Sequence, residues 1–181
     1  YQHHLGGEVK SFDPTSVLTQ AEVKVYGRAV QFAIVATRDA LLDAGLNGEF
    51  QDASPKVGVM MGTTFGEAQI VEEVTRRYVN NNIGKNSSPP YLKQYNPNAL
   101  SVNIARKFGF CGPNMVIPTA CAAGNYAIAY ATSLIQAGKI DMAVAGGSDP
   151  FSQVSFSGFE RLGVMADSIC QPFDKKRKGI L

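Results

Sequence analysis

The stretch VIPTACAAGNY around Cys121 constrains the fold more than any other part of the chain. An apolar run at residues 115–117 predicts a short buried strand. Beyond it, Tyr126, Tyr130 and Leu134 recur every four residues, which is the spacing of a helix. Cys121 is therefore expected where a buried strand ends and a helix begins.

A cysteine at the start of a helix has chemical meaning. The first backbone N–H groups of a helix have no partner within it and favour a nearby negative charge, so a thiolate is stabilised there. Ala120, Ala122 and Gly124 are small and leave room for a substrate carbonyl beside Cys121. A buried structural cysteine is the alternative, because free cysteines are among the most buried residues. The local pattern favours neither.

Strand and helix patterns alternate along the rest of the chain. Residues 56–61 and 142–145 predict two more buried strands, and residues 68–78 and 98–108 predict helices. One long helix is predicted over residues 19–44, opened by a capping box at Thr19 and Glu22 and ended by Gly45. Asn98 can cap the helix that follows it, and residues 151–169 show no strong period. The alternation predicts an α/β fold with a mainly parallel sheet.

Four stretches, in this order, resemble one family of enzymes. They are DALLDAGL at residues 39–46, TACAAG at 119–124, GKIDMAVAGGSD at 138–149 and PFD with Arg177 and Gly179 at 172–179. Together they resemble the β-ketoacyl-acyl carrier protein synthases, the condensing enzymes of fatty acid and polyketide synthesis. This resemblance implies a thiolase-like fold built from two βαβαβαββ halves. Residues 1–181 resemble most of the first half, with the second half absent.

The resemblance also implies a reaction. Cys121 would take an acyl group from a thioester, and a malonyl thioester would then lose carbon dioxide and condense with that group. Two histidines stabilise the enolate in the family, and they belong to the second half. The only histidines here, His3 and His4, match no motif of the family and are expected in an exposed loop. The chain alone is therefore expected to be inactive in condensation.

Partners follow from the resemblance as well. It implies an acyl carrier protein that brings the acyl and malonyl groups, and a homodimer or a ketosynthase heterodimer. Lys24 and Arg28 fall where relatives place cations that contact the carrier, although an ordinary solvated helix face would look the same. Tyr91 and Leu92 lie in the long loop at residues 80–97 and would reach the acyl pocket of the dimer partner.

Composition excludes several other classes of protein. The net charge is only +2 and no basic stripe is interleaved with aromatics, so no nucleic-acid partner is expected. No run of 18 apolar residues and no signal peptide is visible, so no membrane association is expected. No dinucleotide or phosphate loop occurs, so no cofactor is expected, and the cysteines do not have metal-ligand spacing. Cys111, Cys121 and Cys170 fit the reduced thiols of a cytoplasmic enzyme.

Three alternatives to a ketosynthase are considered. A thiolase or a coenzyme A-primed condensing enzyme shares the fold and a cysteine, but the PFD segment fits those enzymes poorly. A serine hydrolase lacks support because the chain has no Gly-x-Ser-x-Gly sequence. A structural or truncated ketosynthase subunit, in which Cys121 is merely packed, stays open. The reactivity of the Cys121 thiol distinguishes that last alternative from an enzyme.

Overall fold

The computed structural model describes residues 5–46, 56–80 and 95–181. His3 and His4 lie outside these ranges, as do Tyr91 and Leu92.

A small parallel sheet forms the centre of the molecule. Its strands are β1 (Val57–Gly62), β2 (Asn114–Ile117) and β3 (Met142–Gly147). Their order is β2-β1-β3, and both neighbours pair with β1 in parallel. The register places Gly62, at the carboxyl end of β1, beside Ile117 of β2 and Gly147 of β3. The prediction of an α/β fold with a parallel sheet is confirmed.

Six α-helices and a short 3-10 turn connect and cover the described strands. The 3-10 turn, Ala120–Ala122, lies between β2 and the fifth helix. The α-helices are α1 (Gln20–Val25), α2 (Arg28–Asp43), α3 (Ala68–Val79), α4 (Ala99–Phe108), α5 (Ala123–Gln136) and α6 (Gln153–Leu162).

Helices cover both faces of the sheet, which is why all six residues of β1 are buried. On one face, Ile34 of α2 and Ile104 of α4 pack with Val59 in the larger core cluster. On the other face, Met60 packs with Ala127 and Ala131 of α5. The central strand is thus apolar on both sides, whereas α5 meets the sheet through alanines.

The helix predicted over residues 19–44 is two helices. The capping box is confirmed, because Glu22 N donates to Thr19 Oγ1 at 3.2 Å and Thr19 N donates to Glu22 Oε2 at 2.7 Å. The helix then stops at Tyr26 and Gly27, whose backbones are extended, and α2 begins at Arg28. The break occurs because the carboxylate of Glu67 occupies the space beside Gly27 and caps α2.

The predicted strand at residues 115–117 is not buried along its length. Only Val116 is buried, and Met115 is 41% exposed. Among the described strands β2 has β1 as its one neighbour, so the side of β2 away from β1 is open. β3 is half-buried over most of its length, and it lies at the other edge of the described sheet for the same reason.

Two further details differ from the sequence predictions. Residues 151–169, whose sequence shows no strong period, contain α6, whose N-cap Ser152 accepts from Ser155 N at 3.0 Å. Asn98 stands at the N-cap position of α4, but its side chain makes no capping bond. None of the helices in the described ranges is both long enough and apolar enough to cross a membrane.

Candidate active site

Cys121 lies in the 3-10 turn that joins β2 to α5. Ala122 N donates to Thr119 O at 3.3 Å and closes the turn, and α5 starts two residues after the cysteine. The N-cap of α5 is Ala122, whose side chain has no acceptor for the first N–H groups of the helix. The Cys121 side chain is exposed. The predicted position of Cys121 between a strand and a helix is therefore what the structure shows.

The backbone bends sharply just before the nucleophile candidate. Ala120 has φ 51°, in the left-handed region that residues with a Cβ rarely adopt. Such a conformation is unfavourable by roughly 1–2 kcal/mol for an L-residue, so the surrounding structure must impose it. The bend turns the chain from β2 into α5 within a few residues.

Glycines bring the start of α5 directly onto the strand ends. A Cβ at Gly62 would lie 2.5 Å from Gly124 N, and a Cβ at Gly147 would lie 3.7 Å from Gly124 Cα. The helix N-terminus therefore rests on the carboxyl ends of β1 and β3. In open parallel sheets this is the end at which ligands bind.

Exposure alone does not single out Cys121 among the thiols. Cys111, Cys121 and Cys170 are all unpaired and exposed. Cys111 lies in the turn before β2, where its Sγ is 3.6 Å from Gly109 O, and Cys170 follows α6. Only Cys121 lies at a helix N-terminus above the carboxyl end of the sheet.

The two predicted docking cations have different surroundings. Lys24 is exposed in the last turn of α1. Arg28 is the first residue of α2, and its guanidinium carbon lies 4.6 Å from the ring centre of Phe12 and 4.7 Å from that of Phe32. Arg28 also donates to Val9 O at 3.3 Å, so it packs within the chain as well as carrying charge.

Two carboxylates near the site were missed by the sequence analysis. Asp149, two residues after the end of β3, accepts from Thr63 Oγ1 at 2.7 Å and from Phe65 N at 2.9 Å. Glu67 is 4% exposed and accepts from Val30 N at 2.8 Å and Ala29 N at 3.2 Å. The available signal was an acidic residue within two positions of the glycines that follow each predicted strand end.

Burial is the main influence on the pKa of the Glu67 carboxyl. It raises the pKa of this carboxyl above its ordinary value, and the nearby charge of Asp149 adds to the effect. The backbone N–H groups of Val30, Ala29 and Arg28 favour the charged form and oppose the shift without reversing it. Glu67 is therefore a buried acid whose charge is stabilised chiefly by the N-terminus of α2.

Comparison with known proteins identifies the fold and then the family. A solved structure of the ishigamide ketosynthase/chain length factor is 32% identical, with a TM-score of 0.85 over 96% of this chain and 43% of that chain. The fold is therefore the thiolase-like fold of the ketosynthases. Residues 2–181 match the family described as beta-ketoacyl synthase, N-terminal domain. The chain belongs to this family.

Two other similar proteins extend the comparison. The 3-oxoacyl-[acyl-carrier-protein] synthase 2 of Staphylococcus aureus is 27% identical over 187 residues, which cover 100% of this chain and 46% of the relative. A structure of a type II PKS acyl-carrier protein in complex with its ketosynthase has a TM-score of 0.73 at 24% identity and shares the fold. The chain thus spans less than half the length of the curated relative it matches.

Proposed function

We propose that this chain is the nucleophile-bearing part of a β-ketoacyl synthase, an acyltransferase of fatty acid or polyketide synthesis. The observation that carries the proposal is the exposed thiol of Cys121 at the N-terminus of α5, above the carboxyl end of the sheet. Membership of the β-ketoacyl synthase family supports the choice of reaction.

The first half-reaction is acyl transfer. The Cys121 thiolate attacks the carbonyl carbon of an acyl thioester, the new S–C bond forms, and the carrier thiolate leaves when the old S–C bond breaks. The backbone N–H of Cys121 is one proposed donor to the oxyanion that develops meanwhile. The N-terminus of α5 favours the thiolate and the oxyanion alike because both are negative.

The second half-reaction is condensation. A malonyl thioester loses carbon dioxide, its α-carbon attacks the acyl carbonyl, and the Cys121 thiolate leaves. The enolate that precedes attack needs a donor at its oxygen, and the described part of the chain contains no histidine to supply one. We therefore infer that residues 1–181 alone do not catalyse condensation.

Partners form part of the same proposal. An acyl carrier protein delivers the acyl and malonyl groups, and a similar structure that holds an acyl-carrier protein in complex with its own ketosynthase supports this choice of partner. A homodimer, or a heterodimer with a second ketosynthase-like subunit, would cover the exposed edge of β2 at Met115. Tyr91 and Leu92 are proposed to line the partner's acyl pocket. A cytoplasmic location, which the three unpaired thiols favour, belongs to this proposal too.

Acylation of the intact protein tests the proposal. After incubation with an acyl thioester, peptide mass spectrometry should find the acyl group on Cys121 and not on Cys111 or Cys170. The Cys121→Ala variant should remain unlabelled, while Cys111→Ala and Cys170→Ala should label like the parent. Acyl groups on Cys111, or an inert Cys121 in a folded protein, would refute the assignment.

A further inference from the structure

The turn between β1 and α3, residues 63–67, is tied down by a carboxylate from a distant part of the chain. Asp149 accepts from Thr63 Oγ1 at 2.7 Å, from Thr64 N at 3.0 Å and from Phe65 N at 2.9 Å. The Thr63 hydroxyl in turn accepts from Gly66 N at 2.9 Å. One carboxylate therefore fixes three successive residues of this turn.

The other end of the turn is tied to α2. Glu67 is the last residue of the turn, and its carboxylate accepts from the backbone N–H groups of Ala29 and Val30. Gly27 permits this approach, because a side chain there would overlap the Glu67 carboxylate. The turn is thus held between the start of α2 on one side and the end of β3 on the other.

This turn adjoins the nucleophile site. Thr63 N donates to Ile117 O at 3.4 Å, four residues before Cys121. Gly62, the residue before the turn, packs against the backbone of Ala123 and Gly124 at the start of α5. Ser148 N donates to Gly62 O at 3.1 Å, which brings Asp149 to the same end of the sheet.

The hydrogen bonds of Asp149 do more than satisfy buried groups. Asp149 and Phe65 are exposed, so water could solvate the Phe65 N–H if the carboxylate were absent. What the carboxylate adds is a fixed position for a turn that would otherwise sample several conformations.

We propose that Asp149 is a positioning residue: it holds the turn at residues 63–67 as a rigid wall beside Cys121, so that access to the thiol depends on the size of the acyl donor. This inference rests on the proposed function, in which Cys121 is the nucleophile. Asp149 touches no reacting atom in this scheme, and it acts through the backbone of Thr64 and Phe65.

Site-resolved alkylation tests this role in the intact protein. Rates are measured at each cysteine with iodoacetamide, which is small, and with fluorescein maleimide, which is bulky. At Cys121, the rate with fluorescein maleimide divided by the rate with iodoacetamide should be about fivefold higher in Asp149→Ala than in the parent. This is the factor that corresponds to the loss of one net hydrogen bond. The ratios at Cys111 and Cys170 in the same molecules should not change.

A matched control is available at Asp13. Its carboxylate also accepts from a threonine hydroxyl and a backbone N–H, those of Thr15, at 2.7 and 2.9 Å in an exposed turn. Asp13→Ala should leave the Cys121 ratio unchanged. Asp149→Asn keeps one acceptor oxygen and should give an intermediate ratio, and it supplies the measurement if Asp149→Ala does not fold.

Two results would overturn the proposal. One is an unchanged Cys121 ratio in both folded Asp149 variants, and the other is an equal rise at all three cysteines, which would indicate general loosening. Failure of the proposed function is distinguishable from either result. In that case Cys121 would not be acylated by thioesters in the parent protein, while the alkylation ratios would still respond to Asp149.

Discussion

Gly62 and Ala123 are packed backbone against backbone where the central strand meets the nucleophile helix. A Cβ at residue 62 would overlap the carbonyl carbon of Ala123 and lie 2.5 Å from its oxygen. Both contacts are with backbone, so no side chain can rotate away. The Gly62→Ala variant should lower the free energy of unfolding by roughly 1–3 kcal/mol, the usual cost of overpacking, and should slow acylation of Cys121. Urea unfolding and acylation rates measure the two effects.

Gly146→Ala is the control for this prediction. Gly146 lies in β3, one residue before the strand end, and a Cβ there would meet nothing within 4 Å. We expect its stability to stay within about 0.5 kcal/mol of the parent. If Gly146→Ala lowered the free energy of unfolding as much as Gly62→Ala does, strand propensity, and not contact with α5, would explain both losses of stability.

The left-handed conformation of Ala120 gives a second prediction. Glycine adopts φ 51° without the steric penalty that alanine has, so Ala120→Gly should leave stability unchanged or raise it by up to about 1 kcal/mol. Ala120→Val should destabilise by about 1–3 kcal/mol because a β-branched residue is strained there. Thermal and urea unfolding test both variants.

Ala122 provides the comparison. Its φ is −93°, so glycine gains nothing there and brings only extra entropy in the unfolded state. Ala122→Gly should therefore destabilise by roughly 0.5–1 kcal/mol. If Ala120→Gly lost as much stability as Ala122→Gly, the left-handed backbone conformation at Ala120 would not be a source of strain.

The position of Cys121 was predictable because the signal is local. A strand, a tight turn and a helix within about 20 residues are visible in the spacing of apolar residues, and the structure reproduces all three. The break between α1 and α2 was not predictable in the same way. It depends on Glu67, whose partner Val30 is 37 residues away in sequence.

The buried face of α5 shows another limit of sequence patterns. The four-residue spacing correctly predicted a helix from Tyr126 and Tyr130, yet these side chains are 59% and 40% exposed. The face that meets the sheet carries Ala127 and Ala131, which allow the helix to lie close above Met60. Periodicity identifies a helix, but it does not determine which of two apolar faces packs on the strands.

The third prediction is that the buried Glu67 makes the stability of the protein depend on pH. Because the pKa of Glu67 is raised in the folded state, the folded protein binds this proton more tightly than the unfolded chain does. The resulting stabilisation is complete below the ordinary glutamate pKa and is lost as the pH rises through the raised value. Glu67→Gln should therefore gain stability relative to the parent as the pH rises through that window, as measured by urea midpoints at successive pH values.

Glu73→Gln serves as the control of opposite sign. Its carboxylate lies 2.7 Å from Arg77 Nε and 2.9 Å from Arg76 Nη1, and the bond from Arg77 is the main reason that its pKa is lowered. The stability contributed by Glu73 is present above the ordinary glutamate pKa and is lost on acidification. Parallel curves for Glu67→Gln and the parent would contradict the prediction for Glu67.

The final prediction concerns the carrier protein. Lys24 is exposed on α1, whereas the Arg28 guanidinium lies against the rings of Phe12 and Phe32, so of these two cations only Lys24 can be reversed in charge without disturbing the chain. If Lys24 contacts an acidic carrier, Lys24→Glu should slow acylation from a carrier-bound donor by roughly 1.5- to 5-fold, the range of one exposed ion pair. The effect should shrink at high salt.

The donor and the control variant separate docking from catalysis. A pantetheine thioester needs no docking surface, so Lys24→Glu should use it as fast as the parent does. Lys139→Glu reverses an exposed lysine beyond the C-terminus of α5, at the opposite end of the sheet from Cys121, and should be neutral with both donors. Arg28→Lys keeps the charge but loses the planar group that lies against Phe12 and Phe32. It should therefore lower the free energy of unfolding, with a smaller effect on the rate of carrier-dependent acylation. If Lys24→Glu slowed both donors equally, or neither, Lys24 would not lie on the docking surface.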